Sequence, residues 1–117
     1  MTEIIHTTGK VHTVRVDGSK MVDWNSFHDE FSRVFGFPDF YGRNMNAWID
    51  CMTNLDDEFS NFRVEVGELV MLEISDREVF QKKHADLSSA LHECAAFVNG
   101  RRVAVGELPI LLISVAL

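Results

Sequence analysis

Cysteine and proline are scarce in this sequence, with two of each in 117 residues. Two cysteines cannot build the disulfide framework of a small secreted scaffold. Cys51 and Cys94 each fall in a helical apolar pattern, and neither has a CxxC or Cys/His metal spacing. They are expected to be reduced, buried thiols of a cytosolic protein. Long apolar runs are also missing. The longest, near the C-terminus, is interrupted by Ser114 and falls far short of the ~18 residues that span a bilayer. Met1 to His6 lack the basic start and apolar stretch of a signal peptide, so the cytoplasm is the expected location. Basic charge is in deficit, with 11 Lys and Arg against 18 Asp and Glu, a net charge of −7. This disfavours nucleic acid or an anionic membrane as partner and favours a basic one, although many plain cytosolic proteins are acidic too.

The usual marks of catalysis are absent as well. There is no Gly-rich phosphate loop, no GxSxG, no HExxH and no Walker pattern. The histidines His6, His12, His28, His84 and His92 are scattered. His92 and Cys94, two apart on one helix, point in different directions. Cys51 follows Asp50, and a neighbouring carboxylate raises a thiol pKa rather than activating it. Asp56-Asp57-Glu58 lacks the spaced oxygens and turn glycine of a calcium loop. No cofactor, no metal site and no enzymatic activity are expected. Without repeats, linkers or low-complexity tracts, residues 1–117 read as one domain, long enough to bury roughly two-thirds of its unfolded surface.

What is present is a regular alternation of elements. Val11 to Val16 alternates apolar and polar and predicts a strand, ended by the turn pair Asp17-Gly18. Before it, Ile4-Ile5 suggests a short strand or a packed end. Asp23 is placed to cap a helix whose inner face carries Trp24, Phe27, Phe31 and Val34, with Gly36 as its stop. Leu69 to Ile74 is a nearly continuous apolar run, expected as a strand covered on both faces. Ser75 with Glu78 reads as a capping box for a short helix ending at Lys82-Lys83. Asp86 caps a further helix, with Leu87, Ala90, Leu91, Cys94, Ala95 and Val98 inward and Asn99-Gly100 as its stop. Val103 and Val105 then suggest a small strand or a connecting loop. Pro109 opens a last buried strand from Ile110. Helices between strands imply right-handed crossovers and parallel pairing. The fold class is α/β, a small three-stranded parallel sheet covered by helices.

One stretch organises the rest. Pro38-Asp39-Phe40-Tyr41-Gly42 reads as a tight turn, in which Gly42 is expected to supply a positive φ. A helix follows from about Asn44 to Leu55. At 100° per residue, Met45, Trp48, Ile49, Met52 and Leu55 share one side, and Asn46, Asp50, Thr53 and Asn54 the other. The polar face centres on the Asp50 carboxylate.

The run Pro38-Asp39-Phe40-Tyr41-Gly42-Arg43-Asn44-Met45-Asn46-Ala47-Trp48-Ile49-Asp50-Cys51-Met52 resembles the signature of the barstar family, inhibitors of small bacterial ribonucleases. The family pattern is a proline, an acid, two aromatics, Gly, any residue, Asn, an apolar residue, Asp, Ala, two apolar residues, Asp, Cys and Leu. The resemblance implies a barstar-like fold and an immunity protein that occludes a basic ribonuclease active site without catalysis. It implies that Asp50 plugs the partner's pocket, that Phe40 lies at the interface and that Tyr41 packs. Gly42 and Asn44 match turn residues at the helix start, Ala47 a small residue on the exposed face, and Cys51 a core cysteine. Glu93 matches a second interface acid after a one-residue shift. The departures are specific. Asn46 stands where the family has an aspartate. Ile49 stands where it has an interface aromatic, with Trp48 one position earlier and facing the core. Arg43 adds a positive charge. The presented face thus carries one carboxylate where the family commonly has two or three. The segment from Asp56 to Glu68 is longer than its family counterpart. It carries Asp56, Asp57, Glu58, Glu65 and Glu68, which would restore acidity beside that face, while Phe59, Phe62, Val64 and Val66 suggest that it packs down. A barstar-like module with a non-nuclease partner, and a small enzyme or metal protein, are the alternatives.

Overall fold

A computed structural model describes residues 10–58 and 60–114. Ile4-Ile5, Phe59 and the last three positions lie outside the described residues. The elements in chain order are strand β1 (Val11–Asp17), helices α1 (Trp24–Phe35) and α2 (Met45–Thr53), strand β2 (Leu69–Ser75), helices α3 (Arg77–Lys83) and α4 (Ala85–Ala104), and strand β3 (Leu111–Ile113). The sheet runs β1-β2-β3 with both pairings parallel. This is the α/β architecture expected from the sequence.

The register puts one set of side chains on the core face. His12, Val14 and Val16 stand beside Val70, Leu72 and Ile74, and Val70 and Leu72 stand beside Leu111 and Ile113. Val14, Val16, Val70, Leu72, Ile74 and Leu111 are buried. The opposite face is not covered as β2's apolar run predicts. Leu69, Met71 and Glu73 are half-buried, and Val11 and Leu112 are exposed. With strands in sequential order and crossovers of one hand, both crossovers pass over the same side of the sheet. Its helices therefore cover one face only.

Helix α1 begins as predicted. Asp23 accepts from the Ser26 N–H, and the Ser26 hydroxyl lies 3.0 Å from the Asp23 N–H, a reciprocal capping box. Gly36 closes the helix in the left-handed region at φ 64. Phe27, Phe31 and Phe35 are buried, but Trp24 is exposed rather than on the inner face. Two other expectations at helix ends fail. Ser75 remains in β2, and Asp76, at φ 51, precedes α3 with no side-chain cap. Asn99-Gly100 does not stop α4. The Asn99 side chain reaches out instead, accepting from the Ile110 and Leu111 N–H groups and donating to the Leu111 carbonyl. The helix is worth extending past Gly100 because this clamp and Arg102 beyond it both bind the chain leading into β3. Val103 is therefore helical, and Gly106, at φ 84, follows the true end.

Candidate partner-binding site

The turn before α2 is tied to α1 at two points. The Tyr41 N–H donates to the Pro38 carbonyl at 2.9 Å, closing the turn. The Tyr41 hydroxyl meets Nδ1 of the buried His28 at 2.5 Å. Burial, followed by the positive Arg43, lowers the His28 pKa against a smaller opposing pull from Asp29. Burial pushes the Tyr41 pKa upward, so its hydroxyl stays protonated. Phe40, next in the chain, is left 88% exposed. The left-handed residue is not Gly42 but Arg43, at φ 54. A Cβ at Gly42 would lie 3.3 Å from Asn44 Nδ2 and 3.4 Å from Ala47 Cβ, contacts that a shift of a few tenths of an ångström relieves. Arg43 is held in its strained conformation by α1. Its guanidinium donates to the Asn25 carbonyl and side chain and pairs with Asp29 at 2.9 Å. Asn44 is the cap of α2, accepting from the Ala47 N–H at 2.8 Å.

Helix α2 divides as its periodicity predicts, with one exception, Thr53. Trp48 and Met52 are fully buried, and Trp48 meets Phe31 edge-on. Asn46 is exposed and Ala47 half-buried. Ile49 is only 9% exposed, so its side chain is committed to the core and offers a partner little area. Thr53 is buried rather than on the polar face, its hydroxyl donating to the Ile49 carbonyl. Asp50 stands out with its side chain 68% exposed, but it is not alone. Arg101 of α4 donates from Nη1 to Asp50 Oδ1 at 2.9 Å. Glu93 lies eight residues before Arg101, about 12 Å back along α4, and is exposed. The α4 side chain brought to Asp50 is thus a cation.

The segment after α2 packs down, with Val64 buried and Phe62 against the core, while Val66 is exposed. Among the described residues it forms turns and bends, with no strand. Two of its five acids turn inward. Asp56 forms a paired contact with Arg102, Nη1 to Oδ1 at 3.1 Å and Nη2 to Oδ2 at 2.9 Å. Glu68 is buried against His12 and the Glu65 N–H, bonds that hold its carboxyl below the usual range. Only Asp57, Glu58 and Glu65 are exposed. A cleft of about 380 Å³ opens between this segment and the Phe40 turn. Phe35, Phe37, Pro38 and Leu55 give it apolar walls, and Asp50 and Asp57 line it too.

The family described as Barstar (barnase inhibitor) matches residues 11–105, well over half of the chain. The chain belongs to the barstar family. A Bacillus subtilis (strain 168) protein described as "Putative ribonuclease inhibitor YrdF" is 38% identical over 42 residues, which is 36% of this chain and 46% of that protein. The match thus spans somewhat less than half the length of that relative. Barstar family members are inhibitors rather than enzymes. In this barstar-family chain the signature stretch forms the turn and α2, and Phe40, Asn46 and Asp50 reach its surface together. Among the described residues, no group of three or more His, Cys, Asp or Glu side chains is assembled for a metal. No helix among them is long and apolar enough to cross a membrane.

Sequence reasoning missed Arg101 and Arg102. Adjacent on α4, they point to opposite environments, one at the surface and one 3% exposed. The available signal was periodicity: Leu91, Ala95 and Val98 carried forward by one turn reach position 102 rather than 101.

Proposed function

We propose that this protein inhibits a small bacterial ribonuclease by seating the exposed face of α2 and the Phe40 turn in a basic active site. The observation that carries this reading is the Asp50 side chain, 68% exposed at the centre of that face, with the exposed Phe40 lining the same cleft. A carboxylate presented this way stands where an RNA phosphate would lie, and the net charge of −7 speeds encounter with a cationic partner. Packing of α2 against the core and the ties of Tyr41 and Arg43 to α1 fix the face before contact, which lowers the ordering cost of binding. The protein acts by occlusion, without catalysis. A cell that makes such a nuclease needs this protection inside, so the role is that of a cytoplasmic immunity protein. The test is RNA cleavage by a panel of purified small basic ribonucleases, each titrated with the protein. Stoichiometric loss of cleavage for at least one supports the reading, and full cleavage by all rejects it.

A second reading is favoured by one feature. Asn46 and the Arg101 partner of Asp50 leave the face less acidic than the family pattern. A barstar-type module for a partner other than a nuclease fits that face, and co-purification of a non-nuclease protein with the same α2 dependence distinguishes it.

A further inference from the structure

Arg101 changes what kind of surface this is. The signature stretch directs attention to α2, yet the group closest to the Asp50 carboxylate is a guanidinium from another helix, 2.9 Å away. Both side chains are at the surface, Arg101 at 43% and Asp50 at 68% exposure. A partner cation that reaches Asp50 therefore also approaches Arg101. Like charges brought together at an interface oppose binding unless the partner supplies an acceptor for the second one. One turn before Arg101, on the same side of α4, Phe97 is 57% exposed. The core does not use this ring.

We infer that the docking surface spans both helices, with Arg101 and Phe97 of α4 flanking Asp50, and that it fits a partner presenting a carboxylate beside its cationic pocket. The proposal rests on the ribonuclease-inhibitor reading and narrows it. The complementary feature is a charge couple, cation facing Asp50 and anion facing Arg101, bordered by an apolar contact for Phe97. A uniformly cationic pocket would be penalised by Arg101. Discrimination among basic ribonucleases then comes from α4, outside the signature stretch.

The sign of one substitution separates this from a simple acidic plug. Arg101→Glu places a second carboxylate next to Asp50. If the partner pocket is only cationic, this variant binds tighter. If the surface is a charge couple, it binds at least tenfold weaker. Phe97→Ser is expected to weaken binding by about tenfold as well. The probe is the panel ribonuclease that the wild-type protein inhibits, with inhibition constants read from RNA cleavage and folding checked by circular dichroism melts. Should Arg101→Glu fold poorly, Arg101→Gln reads the same sign with a smaller change. Weakening by both the position-101 and position-97 variants supports the two-helix surface. Tighter or unchanged inhibition by the position-101 variant overturns it while leaving the inhibitor reading intact. Failure of the wild-type protein to inhibit any panel member overturns both.

Discussion

Replacing Arg102 by Met tests how the candidate site is held. The Arg102 side chain is 4% exposed and its partner Asp56 11%. It donates from Nε to the Leu108 carbonyl at 2.6 Å, from Nη1 to the Thr53 carbonyl at 2.8 Å, and from Nη1 and Nη2 to the two Asp56 oxygens. One guanidinium thereby ties the end of α2 to the end of α4 and to the chain entering β3. Methionine keeps the apolar stem but leaves a carboxylate and two carbonyls without these donors. Breaking a buried pair from one side costs about 3–5 kcal/mol, because the remaining charge stays desolvated. Such a loss is a large share of the 5–15 kcal/mol typical of a domain. At ~4 °C per kcal/mol for a chain of this size, Tm should fall by about 12–20 °C. Adding Asp56→Asn should recover about 1–3 kcal/mol relative to the sum of the single changes. Full recovery is not expected, since the Thr53 and Leu108 carbonyls still lack their donor. Thermal melts and urea midpoints of the two single variants and the double variant form the cycle. A loss below about 1 kcal/mol for Arg102→Met, or strict additivity, would refute the reasoning.

Two further outcomes follow from the same geometry. A Cβ at Gly18 would sit 2.3 Å from the Ser75 carbonyl oxygen, backbone that cannot move aside, so Gly18→Ala should cost about 2 kcal/mol or more by urea unfolding; a neutral substitution contradicts the packing at the end of β1. Burial depresses the His28 pKa in the folded protein, so the unfolded chain takes up that proton first, near pH ~6.5. The stability carried by the neutral ring is complete above that pH and is lost as pH falls toward the lower folded value, with a slope of at most about 1.4 kcal/mol per pH unit. His28→Gln should therefore flatten the fall of Tm between pH 7 and pH 5, and an unchanged profile would show that His28 does not drive it.

The sheet order, the helices and the existence of the turn were legible because each rests on a local pattern. Asp23 and Gly36 cap α1 as their residue types require, and Asn44 opens α2. The departures share a cause: a side chain took a tertiary partner that local rules do not see. Asn99 was a plausible helix stop until its amide found the β3 backbone. Gly42 was the natural residue for a positive φ, but Arg43 adopts it because Asn25 and Asp29 hold its guanidinium. Five acids after α2 looked like one solvated patch, and Arg102 and His12 drew two of them inward. At the site, sequence placed Asp50 and Phe40 on the surface and Trp48 in the core. It could not show that Arg101 meets Asp50, since that contact joins residues 51 positions apart.

The most direct measurement is inhibition by the Asp50→Ala protein of the ribonuclease that the wild-type protein blocks, beside a melt of each. The substitution removes only an exposed ion pair, worth about 0–1 kcal/mol, so Tm should hardly move. Binding should weaken by about 4 kcal/mol, close to a thousandfold, as for a central hot spot. Equal inhibition by the two proteins would contradict the account.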